Sequence, residues 1–206
     1  MQQHLLPLFP LQVVLLPSAP LPLHIFEDRY KEMIGEAIRL KTEFGVVLAG
    51  EKGIVNTGCT AVVQRVVKEY PDGRMDIIAI GRRRFEILLL NEEKDYLRGS
   101  VEFFDDDDSE PPAADTIAKV EASFADLKKL EEGDDEEEAA GTPLSFRVAR
   151  SVPDLDVRQT LLTARSEAER MRRLADYLPV LVERVRTMVR MRAIAPSNGH
   201  GKHLTL

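Results

Sequence analysis

The chain has 206 residues, of which 44% are hydrophobic and 31% are charged, and its formal net charge is −7. This length can bury a core without metals, and the single cysteine, Cys59, excludes an internal disulfide framework and predicts a reducing, cytoplasmic compartment. The acidic balance disfavours nucleic acid as a partner. No apolar run of about 18 residues occurs and prolines interrupt the apolar N-terminal stretch, so neither a membrane span nor a signal peptide is predicted.

Residues 6–30 form a proline-rich stretch that is almost uncharged up to Glu27 and then turns into a charged helix. Short apolar runs at residues 6–8 and 13–16 are bounded by proline, which predicts strands at a sheet edge, where a missing N–H is tolerated. From Tyr30 onwards apolar residues recur at helical spacing behind two acidic residues, which predicts one amphipathic helix over residues 28–40. We expect its apolar stripe to lie across the side of a sheet.

Residues 44–103 read as a series of strands. Apolar and β-branched runs alternate with turn residues, and Pro71-Asp72-Gly73 predicts a tight hairpin turn. Gly81 is expected to break the strand that follows this turn. Leu97, Gly99, Val101 and Phe103 alternate with polar residues, as in a half-buried strand. Six or so short antiparallel strands with one inserted helix predict a small, partly closed barrel or a strongly bent sheet.

The second half reads as helices. Four consecutive aspartates followed by two prolines predict a solvated acidic linker at residues 105–112. Helical periodicity resumes at Ile117, Asp154 is expected to cap a helix, and Ser166-x-x-Glu169 is a capping box that opens the longest helix.

The predicted fold class is therefore α+β. An N-terminal antiparallel β-rich pseudo-barrel subdomain with one inserted helix occupies residues 1–104, and a C-terminal α-helical bundle occupies residues 113–195 and ends in a long helix. A flexible tail is predicted at residues 196–206. The role of the acidic stretch at residues 131–138 stays open.

Catalytic and cofactor motifs do not stand out in the sequence. It contains no G-x-x-x-x-G-K-[ST] loop for ATP and no recognisable pair of nucleophile and base. His24 lies between Ser18 and Asp28 without a nucleophile elbow, so we expect a strand residue there. His200 and His203 lack the further ligands that a metal site needs. We predict no catalytic, cofactor-binding or metal site.

Three consecutive arginines, Arg82, Arg83 and Arg84, offer the best case for contact with a polyanion. The alternative is a structural role, in which arginines pair with the acidic loops or cover the core with their apolar stems. Aromatic residues for base stacking do not alternate with these arginines. The sequence therefore favours the structural alternative.

Several motifs together resemble the N-terminal substrate-binding domain of ATP-dependent Lon proteases. L-P-L-F-P-L at residues 6–11 and I-F-E-x-R-Y at residues 25–30 carry the specific part of the resemblance. F-G-V-V at residues 44–47, G-C-T-A at 58–61 and G-R-R-R-F-E-I at 81–87 extend it, so that it covers nearly the whole chain. It implies a β-rich subdomain joined to a helical bundle, which in the full protease is thought to help recognise substrates and support assembly. It further implies a free-standing domain that lacks ATPase and peptidase activity.

Our leading hypothesis is a non-catalytic module that binds exposed hydrophobic segments of unfolded or client proteins. The candidate binding residues are the large apolar ones of the first stretch: Phe9, Leu15, Leu16, Leu21 and Leu23. The alternative is that all five serve core or edge packing.

Two other functions stay open. The chain could be an assembly or adaptor protein that docks on another machine through Arg184, Arg186 and Arg190 of the last helix. It could also be an enzyme with an unrecognised site. Self-association is left open, and no membrane partner and no cofactor are expected.

Overall fold

A computed structural model describes residues 5–50, 53–107, 110–130 and 141–194. The strands in this part of the chain are β1 (Leu6–Leu11), β2 (Pro20–Ile25), β3 (Phe44–Gly50), β4 (Gly53–Glu69), β5 (Met75–Asn91) and β6 (Arg98–Phe104). The helices are α1 (Asp28–Leu40), α2 (Ala114–Leu130), α3 (Leu144–Ala149), α4 (Leu155–Thr163) and α5 (Glu167–Ile194). The predicted α+β class is confirmed.

The six strands form one mixed sheet in the order β2-β5-β4-β3-β1-β6, and β5 also pairs with β6. These pairings close β1, β3, β4, β5 and β6 into a ring, which is the predicted barrel-like arrangement, and β2 is added on β5. The expectation of a purely antiparallel sheet is wrong in one place, because β1 and β3 are parallel. The helix α1 provides the long crossover that a parallel pair needs.

The proline-containing strand at the sheet edge is not the one that the sequence predicted. β1 is not an edge strand, since it pairs with β3 on one side and with β6 on the other. Residues 13–16 form no strand. β2 is the edge strand, and Pro20 and Pro22 lie in it. The steric rule that confines proline to edges and strand ends therefore holds for β2.

Gly81 does not break β5, contrary to the prediction. The strand continues through Gly81. The backbone of residues 16–19 crosses the strand so closely at this point that a Cβ at position 81 would lie 2.1 Å from the carbonyl oxygen of Leu16. Gly81 exchanges hydrogen bonds with this crossing segment, donating to Ala19 and accepting from Ser18 at 2.9 Å each. The glycine thus serves a close backbone approach rather than a turn.

Short sequence patterns correctly predicted the positions of a turn, a helix and a helix cap. The turn at residues 71–73 joins β4 to β5, with Gly73 at a φ of +81°. α1 has the predicted bounds and buries Tyr30, Met33, Ile34 and Ala37. Asp154 caps α4 by accepting hydrogen bonds from the backbone N–H groups of Asp156 and Val157.

The described residues belong to two compact units. The first contains the sheet, α1, α3, α4 and the first four residues of α5, and the second contains α2 and the rest of α5. The domain boundaries proposed from composition stay a prediction. The acidic stretch at 131–138, the tail at 196–206 and its two histidines lie outside the described residues.

The first unit has an apolar core. Its largest fully buried side chains include Leu8, Phe44 and Phe85 from the ring of strands and Met33 and Ile34 from α1. Complete burial of a side chain of this size contributes about 1.5–3 kcal/mol. None of the helices described combines the length and the apolar character needed to cross a membrane.

Candidate functional site

The five apolar residues predicted to bind a polypeptide lie mainly in the core. Phe9, Leu15, Leu16 and Leu21 are buried, and Leu23 is half-buried. Phe9 stacks on Tyr30 of α1 with ring centroids 4.1 Å apart. Four of the five therefore lie in the core, as expected if they serve packing and not binding.

A surface groove of about 530 Å³ lies elsewhere in the first unit, and we call it the α1–β6 groove. None of the five predicted binding residues lines it. One wall is the side of α1, with Met33, Glu36 and Leu40, and the other is β6, with Val101 and Phe103. Its volume falls within the range typical of ligand sites in proteins.

Two large apolar side chains are exposed in the groove. Leu40 is 56% exposed and Phe103 is 41% exposed. Leu40 is the last residue of α1 and follows the buried Ala37 by three positions, so it continues the apolar stripe of the helix beyond the core. Phe103 faces the same side of β6 as Val101, because side chains alternate along a strand.

A charged network borders the groove near α1. The ammonium group of Lys94 donates to Glu32 at 3.0 Å, to Glu36 at 3.2 Å and to the hydroxyl of Tyr96 at 2.8 Å. Tyr96 in turn donates to Glu36 at 3.0 Å. The hydrogen bonds from Tyr96 and Lys94 lower the pKa of Glu36, and those with Tyr96 and Glu32 raise the pKa of Lys94. The ammonium group of Lys94 is therefore held between two carboxylates, which leaves one negative charge in excess.

Arg83 supplies the other charged border. Its guanidinium lies 3.8 Å from the ring centroid of Phe103, as in a cation–π contact. It also donates to Glu43 from Nε at 3.1 Å and from Nη2 at 2.9 Å. Here too each charge already has an opposite partner, which leaves the apolar surfaces as the main feature offered to a ligand.

A smaller cleft of about 470 Å³ lies between the end of α1 and β4. Ile38 and Lys41 line it on one side, and Val62, Val63 and Val66 line it on the other. The register of β4 against β5 shifts between Val63 and Arg65 and again between Val66 and Lys68, so this part of β4 is bulged. Bulges of this kind disturb a strand edge as a pairing surface.

The three predicted docking arginines lie on the part of α5 that belongs to the second unit. Arg184 and Arg190 are exposed. Arg186 is half-buried and pairs with Glu183 and, at 3.9 Å, with Asp126 of α2. Exposed apolar residues, Met188 and Met191, accompany them.

The remaining polar motifs have structural partners. Arg84 is buried and donates to Asp106 at 2.7 Å, so this arginine serves structure. His24 lies in β2 as predicted and bonds to Asp76 at 2.5 Å. Within the described ranges no group of three or more His, Cys, Asp or Glu side chains is arranged to hold a metal ion.

Sequence reasoning missed the groove because its walls come from distant segments. The alternation of Val101 and Phe103 identified one face of β6, and the helical pattern identified α1. Neither signal says that these two elements border the same space. The exposure of Leu40 and Phe103 was the missing information.

Comparison with known proteins identifies a family that this chain matches. Residues 5–180 match the family model described as the ATP-dependent protease La (LON) substrate-binding domain. A Lon protease of Parabacteroides distasonis is 33% identical over 134 residues, which make up 61% of this chain and 16% of that protein. The chain thus spans only a small part of the length of this curated relative.

Two solved structures have a similar fold. A Lon N-terminal domain protein from Xanthomonas campestris has a TM-score of 0.68 at 24% identity, covering 84% of this chain and 98% of its own. The N-terminal domain of the Mycobacterium avium complex Lon protease has a TM-score of 0.60 at 18% identity, covering 85% of this chain and 98% of its own. At these identities the two structures show a shared fold.

Proposed function

Since the chain belongs to the ATP-dependent protease La (LON) substrate-binding domain family, we propose that it is a non-catalytic module that recognises polypeptides. The single observation that carries this proposal is the family match over residues 5–180, which includes all six strands and α1 to α4. The preferred ligands are exposed hydrophobic segments of unfolded or client proteins.

The α1–β6 groove is the place that we propose for this recognition. It replaces the five residues chosen from the sequence, four of which are buried. Leu40 and Phe103 present apolar surface, and burying such surface is the main driving force of polypeptide association. Because the bordering charges are already paired with each other, a segment with few charges of its own fits best.

The walls of the groove also bear on the alternative of an enzyme. Catalysis needs polar groups that converge on a reacting atom and whose pKa values lie near the working pH, whereas the pKa of Glu36 is lowered and that of Lys94 is raised. In the α1–β6 groove, Lys94, Glu36 and Tyr96 direct their polar atoms at one another, and the apolar residues face the space that a ligand would fill. This arrangement supports binding rather than chemistry.

Fluorescence anisotropy tests the proposal with a labelled polypeptide that is kept unfolded by reduction and alkylation of its disulfides. We expect saturable binding with a dissociation constant on the order of 10 µM, as is usual for a small interface. The same polypeptide in its folded, disulfide-bonded form is the control and should bind at least about tenfold more weakly. Absence of saturable binding at concentrations of tens of micromolar would overturn the proposed function.

A pair of matched variants tests the location. Leu40 in the groove and Leu88 of β5, which does not line it, are almost equally exposed, at 56% and 57%. We expect Leu40→Ser to weaken binding about tenfold and Leu88→Ser to change it less than about twofold. A larger loss of affinity for Leu88→Ser than for Leu40→Ser would place the binding site at the end of β5.

We propose docking through α5 as a second function, on the observation that Arg184 and Arg190 are exposed beside Met188 and Met191. An acidic partner surface with an apolar centre would complement them. Reversing the charges of Arg184, Arg186 and Arg190 to glutamate should abolish capture of such a partner while the circular dichroism stays unchanged. The cytoplasmic location and possible self-association stay predictions.

A further inference from the structure

Among the described residues, the strand that forms one wall of the α1–β6 groove has an unpaired backbone edge. β6 pairs with β5 along its whole length, from Arg98 to Phe104. On its other side it pairs with β1 only at Arg98 and Gly99. In the part of the chain that the structure describes, no strand covers this second side from Ser100 to Phe104.

The alternation of backbone groups shows which residues offer the free hydrogen-bonding positions. The N–H of Leu8 donates to the carbonyl of Leu97 at 2.8 Å, so Leu97 points its backbone groups towards β1. Lateral direction alternates along a strand, and residues 99, 101 and 103 therefore point to that same side. The N–H and C=O groups of Val101 and Phe103 thus face the uncovered edge, at the wall of the groove.

Other free edges of the first unit are poorly suited to accept a strand. The edge strand β2 carries Pro20 and Pro22, which lack backbone donors. The far part of β4 is bulged twice, and β5 has an extra residue, Leu88, opposite β6. β6 itself contributes one residue to each pairing step, so its edge keeps the regular spacing that a further strand needs.

We propose that the α1–β6 groove takes its polypeptide as an extended strand that pairs with β6 at Val101 and Phe103. This proposal rests on the proposed function and specifies its substrate class, which is an extended segment of low charge with apolar residues at alternate positions. Backbone groups supply the pairing, and Leu40 and Phe103 contact every second side chain. A segment that keeps helical structure cannot offer backbone donors and acceptors to β6.

The occupant follows from the chemistry of this edge. A row of amide donors and carbonyl acceptors at strand spacing is complementary to another polypeptide backbone. Arg83 is paired with Glu43, and Lys94 is paired with both Glu32 and Glu36, so neither cation is free to bind a phosphate. A short uncharged strand is the ligand that satisfies both features.

N-methylated peptides test the backbone pairing directly. The probe is a labelled seven-residue peptide of alternating valine and threonine, in three forms: unmethylated, N-methylated on all valines, and N-methylated on all threonines. Only one of the two methylated sets has its N–H groups directed at β6 in a paired strand. We expect that set to lose about tenfold or more in affinity and the other to change less than about threefold.

A protein variant tests the same edge from the other side. Val101→Pro removes a donor on the free edge and leaves the donors of Ser100 and Glu102 towards β5 intact. We expect the unmethylated peptide to bind this variant about tenfold more weakly, with unchanged binding to Leu88→Ser as the matched control. If Val101→Pro does not fold, the comparison of the methylated peptides decides alone.

The outcomes separate this proposal from the function on which it rests. Equal loss for both methylated sets, or binding of the unfolded polypeptide without binding of the unmethylated peptide, overturns strand pairing and leaves polypeptide recognition standing. Failure of both probes to bind overturns both. Concentration-dependent dimerisation that Phe103→Ser abolishes would assign the edge to a second copy of this chain and would also overturn the proposal.

Discussion

Asp106 holds the fully buried Arg170 with both carboxylate oxygens, at 2.7 and 2.6 Å. Arg84 donates to the same carboxylate at 2.7 Å, and Glu167 accepts from Arg170 at 2.8 Å. Two arginines and two carboxylates thus balance their charges inside the first unit. The sequence predicted a solvated acidic linker at this point, and for Asp106 that prediction is wrong.

Replacing Asp106 with alanine should destabilise the first unit. The change leaves Arg84 and Arg170 buried without their shared counter-charge, and breaking a buried ion pair in this way costs about 3–5 kcal/mol. Because the carboxylate of Asp106 is 25% exposed, we expect the lower end of this range. Urea denaturation of the wild type and the variant measures the loss.

Asp107→Ala is the matched control for this change. Asp107 is 69% exposed and lies 3.6 Å from Arg165, so its ion pair is a surface pair. Such pairs contribute about 0–1 kcal/mol. If Asp107→Ala cost as much as Asp106→Ala, the stabilisation would reside in the charge of the aspartate run and not in the buried pair.

Acid should weaken the same ion pair. Burial alone would raise the pKa of Asp106, but hydrogen bonds and charge from Arg170 and Arg84 outweigh burial and hold the pKa below its ordinary value. A carboxyl group with a depressed folded-state pKa stabilises above its unfolded-state pKa of about 4, and this contribution is lost as the pH falls through the folded-state value.

Comparison with Asp106→Asn isolates this effect from the other carboxylates, which both proteins share. The free energy of unfolding of the wild type should fall more steeply below about pH 4 than that of Asp106→Asn, so that the two curves converge in acid. Denaturant titrations at a series of pH values give the two curves. Parallel curves would show that the pKa of Asp106 is the same in the folded and unfolded states, which would contradict its depression by Arg170 and Arg84.

The sequence was a good guide where the signal is local. The bounds of α1, the turn at Gly73 and the cap at Asp154 follow from helical periodicity and from the conformational preferences of single residues. The resemblance carried by residues 6–11 and 25–30 anticipated the family, because proline placement and the following helix agree together.

Features that depend on distant contacts were not predictable in this way. The prolines of β1 look like edge residues, yet Pro7 lies opposite Arg98 of β6, because pairing is decided by a segment 91 residues away along the chain. Asp106 looks like part of a solvated run until Arg84 and Arg170 are placed around it. The α1–β6 groove has the same origin, since its two walls are far apart in sequence.

Phe9 should behave as a core residue and not as a binding residue. Its ring is buried against Tyr30 and Phe44, and truncating a buried phenylalanine to alanine costs about 3–5 kcal/mol. We expect Phe9→Ala to lower the free energy of unfolding by this amount in urea denaturation, and Leu88→Ala, at an exposed position, to change it by less than about 1 kcal/mol.

The thiol of Cys59 should be inert in the folded protein. Its side chain is fully buried in β4, and this burial raises its pKa to about 12. At about pH 8 a thiol-specific reagent should react only as fast as the protein unfolds, and completely in concentrated guanidinium chloride. Leu88→Cys in a Cys59→Ala background should react at once; rapid reaction of the native Cys59 would contradict its burial.

Gly81 and Gly35 should respond to alanine in opposite directions. A Cβ at Gly81 would lie 2.1 Å from the carbonyl oxygen of Leu16, and two backbones must separate to accommodate it. We expect Gly81→Ala to cost about 1–3 kcal/mol, as overpacking does. At Gly35 in α1 an added Cβ would meet no atom within 4 Å apart from the neighbouring backbone of its own helix, so Gly35→Ala should stabilise by about 0.5–1 kcal/mol through the higher helix propensity of alanine. Urea denaturation of both variants measures the contrast, and a Gly81→Ala variant as stable as the wild type would show that the crossing at Leu16 yields without cost.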